Sequence, residues 1–141
     1  MLTGSCLCRG VRYEIRGTPQ LMYHCHCTLC RKANGASLAT NVMVAADDFV
    51  LVAGRELLTA FESSPDKHRY FCSTCGSPIY SQVLQTQYLV SVRSGTLDAD
   101  PDVRPVAHVH VASKAPWVEI ADGLPQFARA APPRPAPGAA A

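Results

Sequence analysis

Cys72-Ser73-Thr74-Cys75-Gly76 is the stretch on which the fold turns. Two sulfurs three positions apart, followed at once by a residue without a Cβ, describe a tight turn that aims both thiols at one point. Such a pair completes nothing alone, because a soft tetrahedral metal site takes four donors. The remaining thiols stand in two further groups, Cys6-Leu7-Cys8 and Cys25-His26-Cys27-Thr28-Leu29-Cys30. Seven cysteines cannot all pair internally as disulfides, and closely spaced thiols in a reducing compartment more often hold metal.

Side chains at i and i+2 share one face of an extended segment, so Cys6 and Cys8 can approach Cys72 and Cys75 from one side. Spacing alone does not force that pairing. Once made, it leaves Cys25, Cys27 and Cys30 as a three-thiolate set with one coordination position open, the usual form of a catalytic zinc. The expectation is two zinc ions per chain, one structural and one of catalytic type. His24 and His26 flank the middle set. Each reads as a fourth ligand, a polar surface residue, or a residue that handles protons near neutrality. Three thiolates exceed the charge of the ion, which suits binding of a small thiol better than hydrolysis by water.

Around these clusters the pattern is that of short strands. Gly10 to Arg16 alternates, with Val11, Tyr13 and Ile15 on one face. Ser37–Val44, Leu57–Glu62, His68–Cys72, Ile79–Leu84, Gln87–Ser94 and Val106–Ala112 also read as strands, with Ser63-Ser64-Pro65-Asp66 as a turn. Tyr23 to Lys32 has no clean period and reads as a loop or a single turn shaped by metal. Asp47-Asp48 opens a short turn or helical piece. No long amphipathic stripe occurs, so the fold expected is mainly β, of antiparallel sheets with short helical pieces. Residues 1–127 form the expected domain, and the Ala/Pro-rich stretch 128–141 a disordered tail that lacks both donors and apolar bulk.

Composition narrows the class of function. The chain has 141 residues, 48% of them hydrophobic, with 13 Lys and Arg against 11 Asp and Glu. That balance gives no electrostatic reason to bind nucleic acid, and no run approaches the roughly 20 apolar residues that cross a bilayer. A cytoplasmic location is expected. Phosphate-cradling glycine loops and the HExxH pattern are absent.

Gly4-Ser5-Cys6-Leu7-Cys8-Arg9-Gly10-Val11, His24-Cys25-His26-Cys27-Thr28-Leu29-Cys30-Arg31-Lys32 and Phe71-Cys72-Ser73-Thr74-Cys75-Gly76-Ser77 together resemble the glutathione-dependent formaldehyde-activating enzyme family, also called centromere-protein-V-like. Ala115 to Phe127, around Pro116-Trp117-Val118-Glu119, resembles the closing motif of that family. The resemblance implies an Mss4-like fold, a structural zinc on Cys6, Cys8, Cys72 and Cys75, and a catalytic-type zinc on Cys25, Cys27 and Cys30. It further implies carbon-sulfur lyase-type chemistry on glutathione, or another small thiol, and formaldehyde or a related electrophile. Arg31 and Lys32 read as contacts for the glutathione carboxylates, or as solvated surface charge. Trp117 reads as core or hydrophobic closure, and His108 and His110 as structural or surface residues. The alternative function is a zinc-stabilised module that binds another protein without catalysis.

Overall fold

The alternation over Gly10–Arg16 seeds the smaller of two sheets. In the computed structural model, which describes residues 1–131, this sheet holds β1 (Leu2–Ser5), β2 (Arg12–Ile15) and β5 (Phe49–Ala53) in the order β1-β2-β5. The larger sheet is built from β3 (Leu21–Cys25), β4 (Ala39–Ala45), β6 (Leu58–Ser64), β7 (Lys67–Cys72), β8 (Pro78–Val83), β9 (Leu89–Arg93) and β10 (His108–Val109). Its order is β10-β3-β4-β9-β8-β7-β6, and only β10 runs parallel to its neighbour, β3. One α-helix, α1 (Thr28–Asn34), and short 3-10 turns complete the described residues. The expectation of a mainly β fold with short helical pieces holds.

The main core lies between the sheets. Val11, Tyr13 and Ile15 from the small sheet meet Val42, Val44, Ile79, Val90 and Val92 from the large one, all buried. Each such side chain contributes about 1.5–3 kcal/mol on leaving water. Tyr13 buries its ring but keeps its hydroxyl bonded to Thr96 Oγ1 at 2.8 Å. Gly4, its cross-strand partner, makes room for that ring, since a Cβ there would lie 2.1 Å from Tyr13 Cζ. Cys6 and Cys72 belong to this core, so the outer sulfur cluster sits at the seam between the two sheets.

Behind the large sheet lies a second buried layer, and it is polar. Asn41, Ser81, Ser91 and Arg93 are all buried, with Asn41 opposite Arg93 and Ser81 opposite Ser91 across the strand pairs. A satellite apolar cluster of Cys25, Cys30, Ala39 and Val109 adjoins it, packed by Tyr23, Cys27 and Phe127.

Four expectations need correction. Tyr23–Lys32 is not a loop or single turn: it holds the end of β3 and most of α1. The strand expected over Val106–Ala112 shrinks to His108–Val109, because His110 turns into the left-handed region at φ 57 and a 3-10 turn follows. Leu2–Ser5, not read as a strand, pairs with β2. Ordered backbone pairing also passes Phe127, since Ala112 and His110 donate to the carbonyls of Ala128 and Arg129. Residues 132–141 of the expected tail lie outside the described residues. Among the described residues no helix is long and apolar enough to cross a membrane.

Candidate functional site

The outer sulfurs come from two turns. Cys6 and Cys8 sit between β1 and β2, and Cys72 and Cys75 span the end of β7 and the turn into β8. All four Sγ atoms lie within 4.8 Å of one another, with Cys6 and Cys8 at 3.4 Å and Cys8 and Cys72 at 3.8 Å. A disulfide would need about 2.0 Å. A tetrahedron with zinc–sulfur bonds of about 2.3 Å has edges of about 3.8 Å, so the donor set has the size of a thiolate metal site.

Backbone geometry does the aiming. Gly76 follows Cys75 at φ 74 and donates its N–H to the Cys72 carbonyl at 2.8 Å. Arg9 follows Cys8 at φ 60 and donates to the Cys6 carbonyl at 2.9 Å, so both cysteine pairs end on a left-handed residue. The Val11 N–H donates to Cys6 Sγ at 3.2 Å. The Ser77 hydroxyl and amide pull the Cys75 thiol down to about 5.

The middle cluster forms where β3 runs into α1. Cys27 caps the helix: its Sγ accepts the Cys30 N–H at 3.2 Å, and Gly35 ends the helix at φ 56. Cys25, Cys27 and Cys30 offer three sulfurs within 4.8 Å, with no fourth Cys or His joining the group among the described residues. Both terminal guanidinium nitrogens of Arg69, Nη1 and Nη2, stand 3.8 Å from Cys30 Sγ. Hydrogen bonds with Cys25 and Cys27 hold the Cys30 thiol well below its ordinary range, and the charges of Arg69 and Arg93 add to this. The Cys25 thiol is pushed up, first by its bonds with Cys27 and Cys30 and then by burial. The arrangement therefore favours negative charge on Cys30 beside two buried cations.

These three cysteines open on a cavity of about 680 Å³. Its wall is largely apolar, from Leu21, Met43, Val106, Val109 and Phe127, with Tyr23, Lys67, Arg93 and His110 as the titratable groups beyond the cysteines. Arg93 donates to Asn41 Oδ1, to Ser91 Oγ at 3.5 Å and to Ser81 Oγ at 3.2 Å. Burial raises the Tyr23 phenol above its ordinary value, so it stays protonated.

Arg31 and Lys32 lie elsewhere. They line a shallower depression with Trp117, whose ring is 5.3 Å from the Arg31 guanidinium carbon, while Arg31 Nη1 donates to the Ser113 carbonyl. Trp117 is 71% exposed, so it is not core; its Nε1 donates to Ser37 Oγ at 3.0 Å. Neither His24 nor His26 lines the cavity. His24 Nδ1 meets Thr40 Oγ1 at 2.9 Å; His26 is fully buried and its Nε2 faces His108 Nδ1 at 2.8 Å. Burial, then the neighbouring His108, lowers the pKa of both below the ordinary imidazole value.

Sequence reasoning missed Arg69, Arg93 and Asp122, and it read His108 and His110 only as structural or surface residues, whereas His110 lines the cavity. A signal for Arg93 was present. It is in phase with Ser91 and out of phase with Val90 and Val92, so it had to face away from the main core.

A family model described as glutathione-dependent formaldehyde-activating enzyme matches residues 1–113. A Halomonas elongata protein provisionally named a glutathione-dependent formaldehyde-activating enzyme is 33% identical over 129 residues, covering 85% of this chain and 81% of its own. A Podospora anserina protein with the same provisional name is 29% identical over 83 residues, covering 57% of this chain and 39% of its own. The crystal structure of a Rhodobacter sphaeroides protein superposes with a TM-score of 0.60 at 23% identity, over 71% of this chain and 91% of that one, a likeness of fold. With a match that runs through all three cysteine clusters, the chain belongs to the glutathione-dependent formaldehyde-activating enzyme family.

Proposed function

We propose that this protein adds a small thiol such as glutathione to formaldehyde or a related electrophile, or cleaves the resulting S-hydroxymethyl adduct, as a zinc-dependent carbon-sulfur lyase. The observation that carries this reading is the three-sulfur cluster, without a fourth donor among the described residues, opening on a tripeptide-sized cavity with a buried arginine on its wall. Cys25, Cys27 and Cys30 would hold one zinc, and Cys6, Cys8, Cys72 and Cys75 a second that ties the sheets together. Bound there, zinc would supply a Lewis acid to the cavity.

The chain supplies the rest. Arg69 and Arg93 offset the excess negative charge of the sulfurs. Among the described residues Arg93 donates only to neutral side chains, so its charge is available to a substrate carboxylate at the cavity wall, and Lys67 adds a second cation. Leu21, Met43, Val109 and Phe127 exclude water from the reacting carbon. In the addition, the thiol sulfur bonds the carbonyl carbon, the carbon–oxygen π bond breaks, and the thiol proton ends on the oxygen. His110 is the imidazole on the cavity wall and is placed to carry that proton. His24 and His26, expected in this role from sequence, do not line the cavity.

The test follows exchange between ¹³C-formaldehyde and its glutathione adduct by NMR on zinc-loaded protein. Acceleration above the uncatalysed exchange, lost in Cys27→Ala with the fold retained, supports the reading. A fully metallated chain that leaves the exchange rate unchanged overturns it and returns the family's scaffold to a binding role.

A further inference from the structure

Away from the sulfurs, three side chains from three segments converge. His24 on β3 and His108 on β10 are register partners across the parallel pair, with ring centroids 4.8 Å apart. Asp122 joins them from the segment after Trp117. One donor atom from each of the three lies within 4.8 Å of the others, and Asp122 Oδ2 is 2.8 Å from His108 Nε2.

Proximity alone would mean little, but each residue's other polar atom is already held. His24 Nδ1 bonds Thr40 Oγ1 at 2.9 Å, its register neighbour on β4. His108 Nδ1 is 2.8 Å from His26 Nε2. Asp122 Oδ1 accepts the Leu124 N–H at 3.0 Å. Imidazoles that bind metal almost always have the second nitrogen fixed by such a partner, and ligating carboxylates are hydrogen-bonded in turn. Here all three donors meet that condition, which leaves His24 Nε2, His108 Nε2 and Asp122 Oδ2 for one ligand.

We propose that His24, His108 and Asp122 form a third metal site, separate from both sulfur clusters, that takes a divalent first-row transition ion through two imidazoles and one carboxylate. Nitrogen and oxygen donors suit zinc, cobalt or nickel in the divalent state and lack the softness that thiolates offer. To ligate, His108 would carry its proton on Nδ1 and donate it to His26 Nε2, so that the ion replaces the proton shared between Nε2 and Asp122 Oδ2. His108 is 4% exposed while the Asp122 side chain is 44% exposed, so the ion enters from the Asp122 side and keeps exchangeable positions there. This site does not depend on the thiol–aldehyde reading.

Full-length protein is first saturated with zinc, then equilibrated with excess cobalt or nickel, and total metal per chain is compared with that of variants treated alike. The wild type should hold about one ion more than Asp122→Asn, with all of the difference absent from His108→Ala. Asp122 is exposed and its asparagine replacement keeps the Leu124 bond, so that variant folds even where His108→Ala does not. Thr40→Val, which touches only the outer partner of His24, should weaken the extra ion by about 10- to 100-fold without removing it. With cobalt, the extra ion should add weak ligand-field bands and no thiolate charge-transfer band. Equal metal content in wild type and Asp122→Asn overturns the proposal, and so does an extra ion whose affinity is unmoved in Thr40→Val.

Discussion

Replacing Arg93 with glutamine removes a positive charge from the cavity wall without emptying its space. Arg93 is 4% exposed, its guanidinium reaches Asn41, Ser91 and Ser81, and it makes no ion pair with a carboxylate among the described residues. The glutamine amide can keep part of this network. The folding cost is then about 1–3 kcal/mol, that of one stranded buried acceptor such as the Asn41 oxygen. A hydrogen bond to a charged group contributes about 1.5–3 kcal/mol, which is roughly 10- to 150-fold in affinity. Glutathione should therefore bind Arg93→Gln more weakly by that factor. A neutral thiol such as 2-mercaptoethanol separates the two roles of the charge, because it has a sulfur for the cluster and no carboxylate for the arginine. Its affinity should fall by less than that of glutathione, because Arg69 still offsets the charge of the sulfurs. Calorimetric titration of zinc-loaded wild type and variant with both thiols reads the difference directly. Equal losses for the two thiols would place the action of Arg93 on the sulfur cluster and refute the carboxylate role; no loss for glutathione would refute it as well.

Three further outcomes follow from the same geometry. Cys72→Ala removes a fully buried sulfur from the main core and should cost several kcal/mol or abolish cooperative unfolding, whereas Cys27→Ala, in the satellite cluster, should keep the fold and lose one metal ion; equal unfolding midpoints would contradict the division. Burial raises the phenol pKa of Tyr13 and Tyr23 above 10.0 and that of Tyr80 from 10.0 to about 12, so unfolding releases protons above pH 10. Stability should be complete below about pH 10 and fall as pH rises beyond it, by up to about 1.4 kcal/mol per pH unit and phenol; denaturant midpoints that stay flat from pH 9 to 11.5 would sink this. Gly76→Ala should cost about 1–2 kcal/mol through its φ of 74 alone, since nothing lies within 4 Å of the added Cβ, while Gly95→Ala, equally open and without positive φ, should cost less; chemical denaturation of the pair decides.

Val11, Tyr13 and Ile15 were legible because a half-buried strand writes its burial into the sequence at period two. The grouping of Cys6 and Cys8 with Cys72 and Cys75 was legible from chemistry, because two pairs complete a donor set that neither fills alone. The helix over Thr28–Asn34 was not legible, since Cys30 is its one buried residue and a cap, not an apolar stripe, starts it. β3 was hidden for a related reason: Leu21 to His24 are all half-buried and show no alternation. Asp122 escaped notice and His108 was read only as structural or surface, because the grouping of His108 with His24 depends on a parallel pairing that joins residues 84 positions apart, and no local pattern records such a pairing. Arg31 and Lys32 were drawn toward the site by adjacency to Cys30, but on a helix the next two positions turn away from it.

The parallel placement of β10 on β3 also sets an order in time. Cys25, Cys27 and Cys30 emerge from the ribosome together, whereas the wall segment from Val106 onward follows after 76 more residues, about 4–15 s at ordinary synthesis rates. Until then the three sulfurs face open solvent on the flank of an unfinished sheet. On the proposed reading, a metal ion would reach them with no wall to pass, and the last strand would then close over a centre already loaded. Synthesis in this order would let the sulfurs take their ion before the cavity wall exists.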